Sequence, residues 1–404
     1  MRRDLKDILV WTSTNVPYYQ SYFQSMGKKP EELELDDFQL VIKDMYIKNH
    51  EQFQAEGLDK QSLKYASTSG TTMMPLKVVK TQMDYYTQLK NMWSYRTSEY
   101  GIKTSTKNLN LYFFNERPET SYISGNGITL NINTSKMDID WFLSNVDFIE
   151  DFKPEYVMAY TGSFMRLLAF YEKCSRRLPK SIRNIEFIGE PLMNYQLQVV
   201  NSFTDAQVIL NYSSTEVLGI AISCKQRHMH CIDKNVVVEI MKNGSTCGYG
   251  QEGDIVLTSI FSKAMPFIRY KIGDIGVLRN GNECSCGNTN DIIEITKGRS
   301  IDFIELYNGE RIHSIVLCNI IEDISFILKN CVFRFQIKQT SVYQIDIYLS
   351  FRGGLDFLLP AFRKQFSKKV KNVINADILW GFHVIPILEP LEQAKIIHFQ
   401  KEKS

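Results

Sequence analysis

Tyr156-Val157-Met158-Ala159-Tyr160 is the first of three short apolar runs in the middle of the chain, and Ile185-Glu186-Phe187-Ile188 and Val208-Ile209-Leu210 follow it. Helical patterns separate these runs between Asp140 and Asn211. Short apolar runs that alternate with helices are typical of βαβ units, in which helices cover the faces of a parallel sheet. This part of the sequence therefore predicts an α/β domain with a parallel sheet.

The pattern of apolar and polar residues differs on either side of this region. A helical period predicts a helix from about Thr81 to Tyr100. Between Val236 and Leu278, short strands and glycine-rich turns predict an antiparallel or barrel-like subdomain. Past Arg299 the pattern is mixed, and it predicts a half-buried strand at Gln336–Ser350, a basic amphipathic helix at Leu358–Val373 and a strand at Ile378–Ile387.

Together these patterns predict an α/β fold in two parts. The first is a large N-terminal domain with parallel sheets flanked by helices and a barrel-like β subdomain; the second is a small, mobile α+β C-terminal domain. A chain of 404 residues exceeds what one hydrophobic core usually serves. The best candidate linker lies at Lys297-Gly298-Arg299, which gives domains 1–298 and 299–404.

Composition and charge exclude several classes of protein. Hydrophobic residues make up 44% and charged residues 23% of the chain, as in ordinary soluble globular proteins. The net charge is +2, without the basic excess expected of a protein that binds nucleic acid or an anionic membrane. The charged N-terminus does not resemble a signal peptide, so we expect a cytoplasmic protein whose eight cysteines are reduced.

A loop rich in hydroxyls and glycine occupies Ser67-Thr68-Ser69-Gly70-Thr71-Thr72. Inward-facing backbone N–H groups and hydroxyls in such a loop can hold a polyphosphate. It is not a Walker loop, because Met73 and Met74 stand where a Gly-Lys pair is expected. The alternative is an ordinary surface turn between a strand and a helix.

Two later motifs carry side chains suited to a nucleotide. Asn211-Tyr212-Ser213-Ser214-Thr215-Glu216 follows an apolar run directly, and ligands bind at the carboxyl ends of strands in open α/β sheets. There Tyr212 is able to stack on a base, Thr215 to meet a phosphate and Glu216 to hold Mg²⁺. In the second motif, Phe267–Asp274, Asp274 follows a glycine and is able to accept hydrogen bonds from ribose hydroxyls. The alternative in both cases is a plain turn after a strand.

A group of cysteine and histidine residues is the remaining candidate for chemistry. Cys224 and His230 are followed later in the chain by Cys284 and Cys286 in the sequence Cys284-Ser285-Cys286-Gly287. Thiolates and imidazole in this number suit tetrahedral Zn²⁺. His228 and Cys231 are rival donors, and four unlinked reduced residues remain the alternative.

In their order along the chain, these motifs resemble the adenylate-forming superfamily of acyl-CoA synthetases, luciferases and peptide-synthetase adenylation domains. Within it the chain is similar to the phenylacetate–CoA ligase-like branch, and especially to its CapK-type members from polysaccharide clusters. The resemblance covers roughly Ser67 to Lys395. It rests on Thr68–Thr72 with Pro75-Leu76-Lys77, Ile188–Leu192, Tyr212–Glu216, Arg269–Asp274, Gly298-Arg299-Ser300 and Lys395.

The resemblance implies a role for each motif. Thr68, Ser69, Gly70, Thr71 and Thr72 would hold the β- and γ-phosphates of ATP, and Gly189, Glu190 and Pro191 would line the adenine side. Tyr212 would stack on adenine within a nucleotide site that includes Asn211, Ser213, Ser214 and Thr215. Asp274 would bind the ribose with Arg299 nearby, Glu216 would coordinate Mg²⁺, and Lys395 would bridge the carboxylate and the α-phosphate. The residues predicted to act in catalysis are Lys395, Glu216 and Thr71.

The activity so implied is the ATP-dependent conversion of a small carboxylic acid into an acyl-adenylate, followed by transfer of the acyl group to coenzyme A. One alternative is transfer to an amine or to a carrier-protein thiol; another is a nucleotide-binding protein with impaired catalysis. Relatives in this branch show a similar Cys and His pattern, which supports a structural Zn²⁺, and a homodimer is possible.

Three departures from the family pattern bear on these alternatives. Met73 and Met74 follow the threonine pair where glycine is usual, and Ile301 stands where an acid is common, with Asp302 after it. Lys395 lacks the usual preceding glycine. The first departure concerns how the loop closes over the phosphates, the second the hinge of the C-terminal domain, and the third the assignment of Lys395 itself.

Overall fold

The computed structural model describes residues 2–24, 26–68, 74–112, 119–299, 303–386 and 398–401, with the backbone alone at residues 60 and 297–299. The helices are α1 (Arg3–Asn15), α2 (Pro17–Gln24), α3 (Lys43–Lys48), α4 (Gln82–Tyr100), α5 (Ile139–Phe152), α6 (Thr161–Lys173), α7 (Asn194–Phe203), α8 (Ile315–Ile327) and α9 (Leu359–Val370). The strands up to the middle of the chain are β1 (Val41–Ile42), β2 (Leu63–Ser67), β3 (Lys77–Thr81), β4 (Asn108–Tyr112), β5 (Ser121–Ser124), β6 (Thr129–Asn133), β7 (Tyr156–Tyr160), β8 (Asn184–Ile188), β9 (Gln207–Tyr212), β10 (Ala221–Ser223) and β11 (Met229–Cys231). The later strands are β12 (Val236–Lys242), β13 (Ser245–Thr246), β14 (Glu252–Ser259), β15 (Tyr270–Arg279), β16 (Ile292–Arg299), β17 (Phe303–Glu305), β18 (Arg311–His313), β19 (Val332–Ser341), β20 (Gln344–Phe351), β21 (Leu379–Val384) and β22 (Phe399–Lys401).

The chain forms two compact units, each made of an early and a late segment. The first unit comprises Met1–Lys103 and Asn211–Ser300, and the second comprises Thr104–Leu210 and Ile301–Ser404. The last segment begins at Ile301, close to the domain boundary expected after residue 298. The predicted domains 1–298 and 299–404 stay a prediction.

The first unit is built on an antiparallel sheet. Strand β12 pairs with β14, β14 with β15 and β15 with β16, all antiparallel. The antiparallel arrangement expected between Val236 and Leu278 is therefore present. The short β1 pairs parallel to β15, and a separate hairpin joins β2 to β3. Apolar residues from α1, α2, α3 and the sheet share one core, in which Leu9, Tyr46 and Leu257 are fully buried.

The second unit contains the predicted parallel sheet. Strands β6, β4, β7 and β8 pair in parallel in that order, and β5 closes the outer edge antiparallel to β6. Helices α5, α6 and α7 follow the βαβ pattern read from the sequence. Nearly every side chain of α6 is buried, which explains why its apolar residues are not confined to one face.

The late segment of the second unit has its own small sheet, in the order β21-β20-β19-β22, with α8 and α9 packed on it. The predicted single strand Gln336–Ser350 is wrong in one respect: it is two antiparallel strands, β19 and β20, which turn back at Val342-Tyr343. The helix predicted at Leu358–Val373 and the strand predicted at Ile378–Ile387 correspond to α9 and β21. Within the described residues, none of the helices combines the length and the apolar character needed to cross a bilayer.

Candidate nucleotide site and metal cluster

The hairpin of β2 and β3 carries the predicted phosphate loop at its turn. Ser67 lies opposite Lys77 in the ladder, and the next pair of residues closes the base of the loop. There the Thr68 N–H donates to the Leu76 carbonyl at 3.0 Å, and the Leu76 N–H donates to the Thr68 hydroxyl at 2.9 Å. Thr68 therefore fixes the entry and exit of the loop. Ser69, Gly70, Thr71 and Thr72 lie outside the described residues, as does Met73.

The loop after β9 is closed by its own serine hydroxyls. Ser213 accepts a hydrogen bond from the Gly219 N–H at 2.8 Å and donates to Asn211 Oδ1 at 2.8 Å. Ser214 accepts from the Val217 N–H at 3.0 Å. Gly219 has a φ of +64°, and a Cβ there would lie 2.5 Å from the side chain of Met92, so only glycine fits. These contacts hold the loop in one conformation.

Tyr212 and Asp274 meet within the first unit, although 61 residues separate them in the sequence. The Tyr212 hydroxyl donates to Asp274 Oδ2 at 2.7 Å. Burial and the neighbouring Asp274 carboxylate raise the pKa of Tyr212 well above its usual value. The register of β15 and β16 also places the backbone of Arg299 opposite Asp274. Three of the residues predicted to surround a nucleotide thus come together here.

Glu216 is held by two groups from different elements. Its carboxylate Oε1 accepts from the Tyr270 hydroxyl at 2.9 Å, and its backbone carbonyl accepts from Lys80 Nζ at 2.8 Å. All three residues are buried. Burial lowers the pKa of Lys80 to about 8, although Asp84 and Glu216 act in the opposite direction. A buried carboxylate oriented by a hydroxyl donor fits the one or two carboxylates that Mg²⁺ takes from proteins in nucleotide sites.

The predicted adenine-side residues lie in the second unit, directly after the carboxyl end of β8. Gly189 has a φ of +70°, in the left-handed region that favours glycine. The Glu190 carboxylate accepts from the Gly162 N–H at 2.8 Å, in the first turn of α6. It therefore neutralises the positive end of that helix. Pro191 is exposed.

The predicted metal ligands come together where a hairpin and a loop meet. Cys224 begins the turn between β10 and β11, His230 lies in β11 opposite Ile292 of β16, and the loop between β15 and β16 carries Cys284 and Cys286. The ligand atoms of these four residues all lie within 4.8 Å of one another. Strand pairing thus brings together donors that are about 60 residues apart in the sequence.

The spacing within this cluster matches one zinc ion. Two sulfurs bound to Zn²⁺ at about 2.3 Å in tetrahedral geometry lie roughly 3.8 Å apart. The sulfurs of Cys224 and Cys284 are 3.7 Å apart, and the Cys286 sulfur is 3.3 Å from His230 Nε2. The other ring nitrogen of His230, Nδ1, lies 2.8 Å from the Asn290 carbonyl. A carbonyl acceptor at Nδ1 is what leaves Nε2 available for a metal.

The two rival donors have other surroundings. His228 is exposed, and its Nδ1 lies 3.1 Å from the Cys284 sulfur as a hydrogen-bonding neighbour. Burial acts to raise the pKa of Cys284, but hydrogen bonds from His228 and the Cys286 backbone outweigh it and lower the pKa to about 6. Cys231 is buried in the apolar core, and this burial raises the pKa of its thiol well above the usual value.

No protein-family model matches this chain. The chain is 22% identical over 313 residues to the phenylacetate–coenzyme A ligase of Thermus thermophilus. The matched residues cover 74% of this chain and 69% of that protein. The chain is therefore similar in sequence and in fold to the adenylate-forming superfamily.

Two solved structures of coenzyme A ligases have a similar fold. A 2-hydroxyisobutyryl-CoA ligase in the postadenylation state, in complex with 2-HIB-AMP, matches with a TM-score of 0.76 at 15% identity, over 99% of this chain and 88% of that one. The O-succinylbenzoate coenzyme A synthetase of Bacillus subtilis, in complex with ATP and magnesium ion, matches with a TM-score of 0.50 at 17% identity, over 80% and 66%. At these identities the likeness shows the fold. The predicted fold class is confirmed.

The similarity to the Thermus thermophilus protein supports the phenylacetate–CoA ligase-like branch and the predicted enzyme class, an AMP-forming acid–thiol ligase. The narrower CapK-type assignment stays a prediction. Lys395 lies outside the described residues, so its role and that of Thr71 stay predictions as well.

Tyr270 and Lys80 contact the candidate site but took no part in its prediction from the sequence. Tyr270 lies inside the Arg269–Asp274 motif, and its place three residues before Gly273 could have indicated that it belongs to the site. Lys80 lies three residues after the end of Pro75-Leu76-Lys77. Its signal was weaker, since lysine on a strand is usually solvated.

Proposed function

We propose that this chain uses ATP to convert a small carboxylic acid into an acyl-adenylate, with release of pyrophosphate, and then transfers the acyl group to the thiol of coenzyme A. The observation that carries the proposal is the convergence of Tyr212, Asp274 and the buried Glu216 in the first unit. It is supported by the relative named as a phenylacetate–coenzyme A ligase and by neighbours that bind an acyl-adenylate or ATP with magnesium.

In the first step an oxygen of the acid attacks the α-phosphorus of ATP, and the bond from that phosphorus to pyrophosphate breaks. The Tyr212 ring offers a face for adenine, and Asp274 offers acceptors for the ribose hydroxyls. Because Tyr212 donates to Asp274, the two groups have a fixed mutual geometry before ATP arrives. Bound Mg²⁺ would neutralise charge on the phosphate oxygens, with Glu216 as its protein ligand.

The first step also requires charge neutralisation at the attacking carboxylate. We assign this to Lys395, whose ammonium would lie between the carboxylate and the α-phosphate. Two anions approach each other in this step, so a cation placed between them acts mainly in the transition state.

In the second step the sulfur of coenzyme A attacks the acyl carbon, and AMP leaves. The thiol loses its proton as the thioester forms. Water must be kept from the adenylate until then, and a C-terminal domain joined by a linker near residue 298 is suited to do so.

We further propose that Cys224, His230, Cys284 and Cys286 hold one structural Zn²⁺. Four protein donors leave no open coordination position, which is the pattern of structural rather than catalytic zinc. The ion would tie the β10–β11 turn to the loop before β16.

Pyrophosphate exchange tests the proposed function directly. The protein is incubated with radiolabelled pyrophosphate, ATP, magnesium and a library of aryl, acyl and amino acids, and labelled ATP is measured. We expect exchange with a restricted set of acids, and acyl-CoA on addition of coenzyme A. Exchange without thioester would move the acceptor to an amine or a carrier-protein thiol, and no exchange with any acid would overturn the adenylation proposal.

A further inference from the structure

Lys80 is a buried cation that connects the two predicted nucleotide-binding segments of the first unit. It lies in β3, the strand that leaves the predicted phosphate loop, and is only 5% exposed. Its Nζ donates to the backbone carbonyl of Glu216 at 2.8 Å and to Gln88 Oε1 at 3.1 Å. One side chain therefore joins the hairpin that carries the phosphate loop to the loop that carries the predicted magnesium ligand.

The partners of Lys80 are themselves fixed. Gln88 of α4 is fully buried, and its Nε2 donates to the Phe261 carbonyl. Asp84, at the start of the same helix, accepts from the Lys263 N–H at 2.9 Å. The carboxylates of Asp84 and Glu216 both act to raise the pKa of Lys80, against the effect of burial. The Lys80 ammonium thus lies between groups that the surrounding backbone holds in place.

A neutral side chain continues the same arrangement further along the loop. Asn235 Nδ2 lies within hydrogen-bonding distance of the Leu218 carbonyl at 3.0 Å and the Gly219 carbonyl at 3.3 Å. Asn91 donates in turn to Asn235 Oδ1 at 2.8 Å. The carbonyls of Glu216, Leu218 and Gly219 are therefore each bound by a side-chain donor from another part of the chain.

We propose that Lys80 is a positioning residue, which fixes the backbone of Glu216 relative to the β2–β3 hairpin so that the Glu216 carboxylate meets the magnesium of bound MgATP. The inference rests on the proposed function. The Tyr270 hydroxyl orients the Glu216 carboxylate, and Lys80 holds the backbone of Glu216 through its carbonyl. A charge-assisted hydrogen bond is suited to this task, because it is shorter and stronger than a neutral one.

The test compares Lys80→Met with a matched control, Lys64→Met. Lys64 lies directly opposite Lys80 in the β2–β3 ladder, but it is half-buried, and its ammonium faces the rings of Tyr85 and Tyr86. The dissociation constant of ATP is measured by calorimetric titration with and without magnesium, which requires no knowledge of the acid. Circular dichroism and thermal melting establish that each variant is folded.

We expect magnesium to strengthen ATP binding to the unsubstituted protein and to Lys64→Met. In Lys80→Met this magnesium-dependent gain should fall about tenfold, the order expected when a buried acceptor loses its partner. Binding without magnesium should change little. In a Glu216→Gln background, Lys80→Met should have almost no further effect, because both substitutions remove the same contribution.

Two results would overturn the inference. One is a magnesium-dependent gain in Lys80→Met equal to that of Lys64→Met; the other is equal weakening with and without magnesium, which indicates a structural role alone. If Lys80→Met does not fold, Lys80→Gln replaces it; the neutral glutamine side chain is one bond shorter and loses the charge-assisted hydrogen bond to the Glu216 carbonyl, so the same criteria apply. Failure of the unsubstituted protein to bind ATP would reject the proposed function itself, which separates the two outcomes.

Discussion

The proposed metal cluster and the proposed nucleotide site of the first unit are assembled in different ways. In the metal cluster, four side chains point at one place, and their ligand atoms lie within 4.8 Å of one another. In the nucleotide site, Tyr212 and Glu216 are held through other groups: the Asp274 carboxylate, the Tyr270 hydroxyl and the Lys80 ammonium. One site is defined by its ligands, the other by the residues that support them.

This difference determines what each site tolerates. A cluster of four donors loses its ion when donors are removed, because the ion is the common partner of all of them. A site held through supporting hydrogen bonds loses affinity or rate by steps, each of the order of one hydrogen bond. Substitutions in the two sites test that contrast.

Removal of two ligands should give the largest effect. Cys284→Ser combined with Cys286→Ser should lower the zinc content of purified protein from about one ion per chain to none, since a structural site needs its full tetrahedral set. Elemental analysis of protein never exposed to chelator measures this. The matched control is Cys247→Ser, a half-buried cysteine outside the cluster, which should keep its zinc. Full zinc in the double variant would place the ion elsewhere.

Lys395→Ala should slow adenylate formation by about 10²-fold or more, the scale seen when one preorganised electrostatic donor is removed. ATP affinity should change little, and transfer from a preformed acyl-adenylate should largely survive. The control is Lys401→Ala, since Lys401 forms an exposed ion pair with Glu305 at 2.5 Å. Single-turnover assays of both half-reactions measure the effect. Near-native rates in both variants would reject the catalytic role of Lys395.

The fold was predictable wherever the spacing of apolar residues changes at a residue that favours a helix cap or a turn. The helix expected from Thr81 to Tyr100 is α4, whose first turn is capped by the Thr81 hydroxyl. The strand expected at Gln336–Ser350 is instead a hairpin. Its turn, Val342-Tyr343, has no Gly, Pro, Asn or Asp, so the alternation of apolar and polar residues continues through it.

Parts of the candidate site were predictable to different degrees for a chemical reason. Cys and His in this number indicate a metal by residue type, and strand pairing then brings them together. Lys80 donates to the backbone carbonyl of Glu216. Because every residue has such a carbonyl, this contact leaves no pattern in the sequence. Three successive residues of β3, Val78, Val79 and Lys80, are buried, so the alternation that would identify an inward-facing lysine is absent.

Tyr270→Phe should weaken the magnesium-dependent part of ATP binding by about tenfold. The ring stays, with its contacts to Tyr46 and Phe267, but the hydrogen bond to Glu216 Oε1 is lost. Hydrogen bonds to charged groups contribute about 1.5–3 kcal/mol. The matched control is Tyr46→Phe, because the Tyr46 hydroxyl donates to the Pro266 carbonyl and not to Glu216. The same calorimetric titration measures both variants, and an unchanged magnesium effect in Tyr270→Phe would remove Tyr270 from the site.

Tyr212→Phe should have the smallest effect. The substitution keeps an aromatic face for adenine, so stacking should survive, and it removes only the hydrogen bond to Asp274. Because the pKa of Tyr212 is raised well above its usual value, the hydroxyl is a donor throughout the neutral range, and the loss should not depend on pH there. The KM for ATP should rise about threefold to tenfold, which is the order of one hydrogen bond, while kcat stays nearly constant. Tyr212→Ala removes the ring as well and should raise KM much further. Equal KM values for the two variants would mean that the ring does not stack on the base, and adenine binding would then have to be assigned to other residues.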